Sequence, residues 1–127
     1  MTTVTGPAGP TDQPDEPGSD VAPTRPSGKD HPFGSFAPAL IEYTDEVLFG
    51  QVWERTGLTP KERSLITVAC LVTSGNTDAL VYHLQRAGGN GATPEELVEA
   101  ITHLAFYAGW PKAMAAMAVA KNVLAGA

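Results

Sequence analysis

Two short segments of this 127-residue chain constrain its fold more than any others: Thr59-Pro60-Lys61-Glu62 and Thr93-Pro94-Glu95-Glu96. In each, a threonine hydroxyl can accept from the backbone N–H three residues on, and the glutamate at that position can reach back to the threonine N–H. The proline between them has a backbone angle that already suits the first helical turn and lacks an N–H that a helix start would leave unused. Each segment therefore opens a helix.

The punctuation between the two boxes fits the same scheme. The first box predicts a helix to about Ser74, stopped by Gly75-Asn76 and apolar nearly all round, as a central buried helix would be. Asn76 or Thr77 can cap the next helix, which runs to about Ala87 and ends at Gly88-Gly89-Asn90-Gly91. The second box predicts a helix to about Ala108 with Gly109 as terminator, and Pro111 sits in the first turn of a last helix, rich in Ala and Met, that ends near Leu124. Upstream, Ala39, Leu40, Tyr43, Val47 and Leu48 recur at helical steps, continuing through Val52 and Trp53 to Gly57. No period-two pattern occurs, so the expected fold class is all-α, with four to six helices over residues 36–127. Residues 1–35 are rich in Pro, Gly, Thr, Ser and Asp, with almost no large apolar side chain before Phe33. Such a segment buries too little surface to offset its ordering entropy and is expected to be a disordered tail.

Charge and composition exclude several function classes. With 14 acidic and 8 basic residues the formal charge is −6, and no Lys/Arg cluster offers a footprint for a phosphate backbone, so no nucleic-acid partner is expected. The apolar stretches are helix-length and interrupted by Glu, His, Asn and Gly, which argues against a membrane span. No charged and then apolar leader opens the sequence, so the expected location is the cytoplasm. Cys70 is the single cysteine, which rules out an intramolecular disulfide, and its apolar surroundings predict a buried, inert thiol.

His83 and His103, on consecutive helices, carry the clearest chemical signal, because histidine titrates nearest neutrality and serves as acid, base or neutral hydrogen-bonding group. On a helical wheel Leu97, Ile101, Leu104 and Ala108 form the core stripe of the fourth helix. Glu96, Ala100, His103 and Tyr107 form a second stripe, and Phe106 lies opposite the core. Apolar or aromatic groups on both sides of a helix point to a second burial partner, most simply another subunit. Leu80, Leu84 and Ala87 face inward on the preceding helix, with His83 flanking them. Either histidine alone fits a core-edge group bonded to a carbonyl better, and only the two together with Tyr107 bring the functional reading level with it. Arg63 and Arg86 are candidates to hold a substrate carboxylate through two parallel hydrogen bonds, against the plainer reading of each as a salt-bridge partner. Metal binding has little support, since the histidines lack helical pair spacing and no third ligand is specified.

Taken together, these segments resemble the carboxymuconolactone decarboxylase family over about residues 45–124. The resemblance is carried by Gly50-Gln-Val-Trp53-Glu-Arg55, by Leu58-Thr-Pro-Lys-Glu-Arg63-Ser64, by His83-Leu-Gln-Arg86-Ala, by Asn90-Gly91-Ala-Thr-Pro-Glu95-Glu96-Leu-Val-Glu99 and by His103-Leu-Ala-Phe-Tyr107-Ala-Gly109-Trp-Pro111. It implies an AhpD-like helical subunit in a homo-oligomer, often a trimer or hexamer, with pockets near subunit contacts. The type reaction it implies is cofactor-independent loss of CO2 from 4-carboxymuconolactone. The alkylhydroperoxidase branch carries a Cys-x-x-Cys pair where this chain has Asn76 and Ala79, so thiol peroxidase chemistry is not expected. On this resemblance Arg63 or Arg86 would bind carboxylate, while His83, His103 and Tyr107 would divide oxyanion stabilisation and proton delivery. Trp110 before Pro111 and Lys112 after it depart from the usual decarboxylase segment and would reshape the substrate pocket.

Three functions follow. The first is a decarboxylase of 4-carboxymuconolactone or a related unsaturated lactone acid, in which His103→Ala is expected to abolish activity and leave helicity intact. The second is a paralogue in polyketide or aromatic metabolism with a different reaction, such as cyclisation, isomerisation or an oxidation-related step. The third is a non-enzymatic helical oligomer that binds a small molecule.

Overall fold

Both Thr-Pro boxes close as their residue types dictate. In the computed structural model, which describes residues 31–125, Glu62 N–H donates to Thr59 Oγ1 at 3.1 Å and Thr59 N–H donates to Glu62 Oε1 at 2.8 Å. Thr93 and Glu96 repeat the exchange at 3.1 and 2.9 Å. Lys61 Nζ donates to Glu96 Oε2 at 2.8 Å, so the two helix starts are also tied to each other. That hydrogen bond, with the one from Thr93 N–H, holds the Glu96 carboxyl below its ordinary pKa.

The helices are α1 (Pro38–Tyr43), α2 (Pro60–Ser74), α3 (Thr77–Gly89), α4 (Pro94–Ala108) and α5 (Trp110–Ala125). No strand occurs among the described residues. The α2–α3 corner is built on Gly75, whose φ of 74° lies in the left-handed region that glycine adopts without strain. There Asn76 N–H reaches Leu71 O at 2.9 Å, and the Asn76 side chain caps α3 by accepting from Ala79 N–H at 3.4 Å. Gly109, with φ 106° and ψ 146°, separates α4 from α5.

Helices α3 and α4 each pack on both α2 and α5, which also touch one another. The shared core contains Val68, Val72, Leu80, Leu84, Leu97 and Ile101, and the fully buried residues that α5 adds are Ala113, Ala116 and Ala120, with Met117, Val119, Val123 and Leu124 packed partly buried against it. A buried face made of alanines lets the other helices approach α5 closely.

Four expectations need correction. The first helix is not α-helical throughout: after Tyr43 it continues as a π-helix over Thr44–Val52, whose i→i+5 pattern ends with Trp53 N–H on Leu48 O at 2.9 Å. Its inward residues are Ile41 and Phe49, whereas Leu40, Tyr43, Val47 and Leu48 are exposed. Helix α2 is buried on one face only, through Ser64, Val68 and Val72, because no described element covers the side that carries Ile66. Cys70 shares that uncovered side and is exposed, not buried. On α4 the core stripe runs through Ala105, with Leu104 and Ala108 half-buried.

The expected disordered tail lies outside the described residues except for 31–35, which belong to a turn leading into α1. No helix among the described residues is long and apolar enough to cross a membrane.

Candidate active site

Helix α3 turns Tyr82, His83 and Arg86 toward the π-helical segment, because Leu80, Leu84 and Ala87 occupy its core side. The π segment answers with Phe49 and Trp53, stacked with ring centroids 6.0 Å apart. The Arg86 guanidinium lies against both rings, its Cζ 4.8 Å from the Phe49 centroid and 4.7 Å from that of Trp53. Trp53 also stacks on His83 at 6.3 Å, and Tyr82 meets His83 edge-on at 5.0 Å.

The polar groups of this cluster are only partly used by the fold. Arg86 Nη1 donates to Tyr82 Oη at 3.2 Å, while the buried Arg86 Nε has no partner among the described residues. His83 Nδ1 is likewise buried and unpartnered there. Burial, and after it the positive charge of Arg86, lower the His83 pKa below the ordinary histidine value, so the imidazole is neutral at pH 7. A cleft of about 400 Å³ opens beside the cluster, with Trp53, Arg55, Leu58, Thr59, Arg86 and Asn90 in its wall together with one carboxylate, that of Glu54. Asn90 is held there by its Nδ2, which donates to the buried Ser64 Oγ at 3.0 Å and so ties the end of α3 to α2. His83 stands behind Trp53 and is not part of the cleft wall itself.

Arg63 belongs to the same end of the molecule. Its Nη2 donates to Arg55 O at 3.1 Å, which fixes the loop between the π segment and α2, and its buried Nε has no partner among the described residues. Neither Arg63 nor Arg86 has a carboxylate partner among those residues, although the chain carries a formal charge of −6.

His103 has a different setting. It is exposed and lines a cavity of about 430 Å³ with Leu65, Ala69, Glu96, Glu99 and Leu104, none of which belongs to the His83 cluster. Tyr107 packs on it with centroids 5.0 Å apart, and Trp110 meets Phe106 edge-on at 5.3 Å. Phe106, Tyr107 and Trp110 are 73, 78 and 57% exposed. One chain thus gathers His83, Arg86 and Arg63 at one end and leaves His103, Tyr107 and Trp110 on another surface. No group of three His, Cys, Asp or Glu side chains among the described residues is placed to hold a metal ion.

Sequence reasoning did not single out Phe49, Tyr82, Asn90 or Ser64 for the site, and it used Trp53 only as part of a motif. The available signal was the aromatic pair Phe49-x-x-x-Trp53, four residues apart on a helical segment whose neighbour carries Arg86. Chemically, the cluster offers a cation with unspent donors, a neutral imidazole and a mostly apolar surround. That combination suits a small organic anion.

Asn76 and Ala79 are joined as a helix cap, and neither carries a thiol. A 4-carboxymuconolactone decarboxylase of Acinetobacter baylyi is 45% identical over 75 residues, which cover 59% of this chain and 56% of that protein. The nitrosuccinic acid decarboxylase npaB of Metarhizium robertsii is 36% identical over 83 residues, covering 65% of this chain and 58% of the relative. The chain therefore spans less than two thirds of the length of these relatives. The profile of the carboxymuconolactone decarboxylase family matches residues 38–122, and the chain belongs to that family.

Proposed function

We propose that the protein is a cofactor-independent decarboxylase of a small acid that carries its own electron sink, with 4-carboxymuconolactone or a related unsaturated lactone acid as substrate. The observation that carries this reading is Arg86: a guanidinium with unspent donors, in the wall of a cleft, beside a neutral and unpartnered imidazole. The names of the two relatives support the reaction class. One denotes loss of CO2 from a lactone acid and the other from a nitro acid. In both substrates an oxygen-bearing group can accept the electron pair that departing CO2 leaves behind.

Arg86, with Arg63 at the same end, holds a carboxylate and orients the acid. The C–CO2 bond breaks, its electron pair moves into the conjugated lactone, and negative charge develops on the carbonyl oxygen. A neutral imidazole is suited to donate a hydrogen bond to that oxygen, and we assign this role to His83, which lies one ring behind the cleft wall, so the substrate must reach past the edge of Trp53 to meet it. Water entering the open cleft delivers the proton to carbon. His103, Tyr107 and Trp110 join this site only where a neighbouring subunit presents them, and homo-oligomerisation through their exposed surface is part of the proposal.

The test is direct: purified protein is incubated with 4-carboxymuconolactone and released CO2 is measured against the uncatalysed rate. Saturable release is expected. Release at the uncatalysed rate rules out this substrate, and the same assay on nitrosuccinate then decides whether the reaction class survives.

A further inference from the structure

The arrangement around Arg86 has a consequence for binding. A free arginine side chain samples many rotamers, and a ligand that needs its planar fork must first immobilise it. Here that freedom is removed before any ligand arrives. Phe49 and Trp53 present their rings to the guanidinium at 4.8 and 4.7 Å, and Tyr82 Oη accepts from Nη1 at 3.2 Å. The side chain that locks Arg86 most directly to the cleft is Trp53, because it lines the cleft as well as touching the guanidinium. Trp53 follows directly on the π-helical segment Thr44–Val52 and stacks on Phe49, four residues before it.

We propose that Phe49, Trp53 and Tyr82 form an aromatic cage that fixes the Arg86 guanidinium in the cleft wall, and that Trp53 is thereby a positioning residue for carboxylate binding. The inference rests on the reading of Arg86 as the carboxylate-holding group. Ordinary packing of an arginine on aromatic rings would also use its donors. In this cluster the guanidinium makes one hydrogen bond among the described residues and pairs with no carboxylate. Its aromatic contacts orient the fork and leave most of its donors unspent. The cage therefore selects planar, two-oxygen anions over spherical ones, since only the former match a fixed fork.

The experiment uses the full chain labelled with 15N-arginine and succinate as an unreactive carboxylate probe. The Arg86 Nε–Hε resonance is assigned by its loss in Arg86→Lys. Succinate is expected to shift that resonance, and Trp53→Ala is expected to weaken succinate about tenfold, as loss of a partly desolvated cation–π contact predicts. Trp53→Phe, which keeps a ring, is expected to stay within about threefold. In the Arg86→Lys background Trp53→Ala is expected to add no further loss, because the group it positions is gone. Equal loss in both backgrounds, or a wild-type resonance that succinate does not move, overturns the cage. If Trp53→Ala fails to fold, Trp53→Leu keeps the apolar bulk, removes the ring and must give the same result. CO2 release from 4-carboxymuconolactone is measured on the same samples. Turnover without a succinate response overturns the cage and leaves the decarboxylase reading standing, and a succinate response without turnover of either 4-carboxymuconolactone or nitrosuccinate does the reverse.

Discussion

His83 and His103 begin as similar features, each on an amphipathic helix and each with a polar or aromatic neighbour three or four residues on. The chain treats them differently. His83 is enclosed by Trp53 and Tyr82, has an unpartnered buried Nδ1 and a lowered pKa, and stands next to the cation of Arg86. His103 is exposed, and its aromatic neighbour Tyr107 is 78% exposed. One environment is built by the described chain, and the other lies open on its surface. Helical position decides which stripe a residue occupies, but what covers that stripe decides its chemistry.

The largest expected effect tests the built side. Arg86→Ala is expected to lower kcat/KM by about two to three orders of magnitude, since a charged carboxylate contact is worth about 2–5 kcal/mol when one partner is removed. Unchanged kcat/KM in Arg86→Ala would show that this guanidinium does not hold the substrate. A second contrast lies in stability. Leu84→Ala, beneath the His83 face and fully buried, is expected to cost about 2–5 kcal/mol in urea unfolding, whereas Tyr107→Ala is expected to change subunit stability by less than about 0.5 kcal/mol. Similar losses for both would mean that the His103 surface contributes as much to the subunit's own fold as the core does.

How much of this was legible in the residues depends on the kind of signal. The starts of α2 and α4 were, because a Thr-Pro-x-Glu box satisfies its own N–H groups whatever surrounds it. So were the inward positions of Leu80, Leu84 and Ala87, and the Gly75 corner. The π-helical winding was not: Val47, Leu48 and Val52 fit an α-helical stripe as written, and only the i→i+5 bonds reveal that Phe49 turns inward in their place. Cys70 and Ile66 look like core residues by composition, yet they lie on the side of α2 that no other described helix covers. His83 and Arg86 were legible as candidates, while their cage was not, because Phe49 and Trp53 reach them from about 30 residues upstream and local periodicity carries no information on that distance.

A third prediction concerns the open surface. Trp110→Glu puts a charge into the exposed row of Phe106, Tyr107 and Trp110, and light scattering is expected to show a smaller assembly with helicity unchanged. An unaltered mass would show that this row does not join subunits. His103→Ala measured alongside sharpens the point: its loss of activity is expected to require an intact assembly, and full loss in a monomeric enzyme would place His103 in chemistry of its own.

The smallest effect is in pH dependence. The lowered pKa of His83 in the folded chain means that, between that value and the ordinary histidine value, the unfolded chain binds more protons. Stability therefore rises with pH across that window, levels off above the ordinary value, and falls as the pH drops toward the folded one. Urea unfolding at a series of pH values is expected to show this slope in wild type and a flatter one in His83→Leu. No difference would mean that His83 is not held neutral by its surroundings.

The central claim is that CO2 is lost at the Arg86 cleft with His83 stabilising the developing oxyanion, and the rate of CO2 release from 4-carboxymuconolactone by wild type and His83→Leu tests it most directly. The leucine variant keeps bulk beside Trp53 and removes the donor. The expected result is saturable turnover by wild type and a loss of about 100-fold in kcat for the variant, with KM little changed, as removal of one oxyanion donor predicts. A variant that releases CO2 at the wild-type rate, or a wild type that releases none, contradicts it.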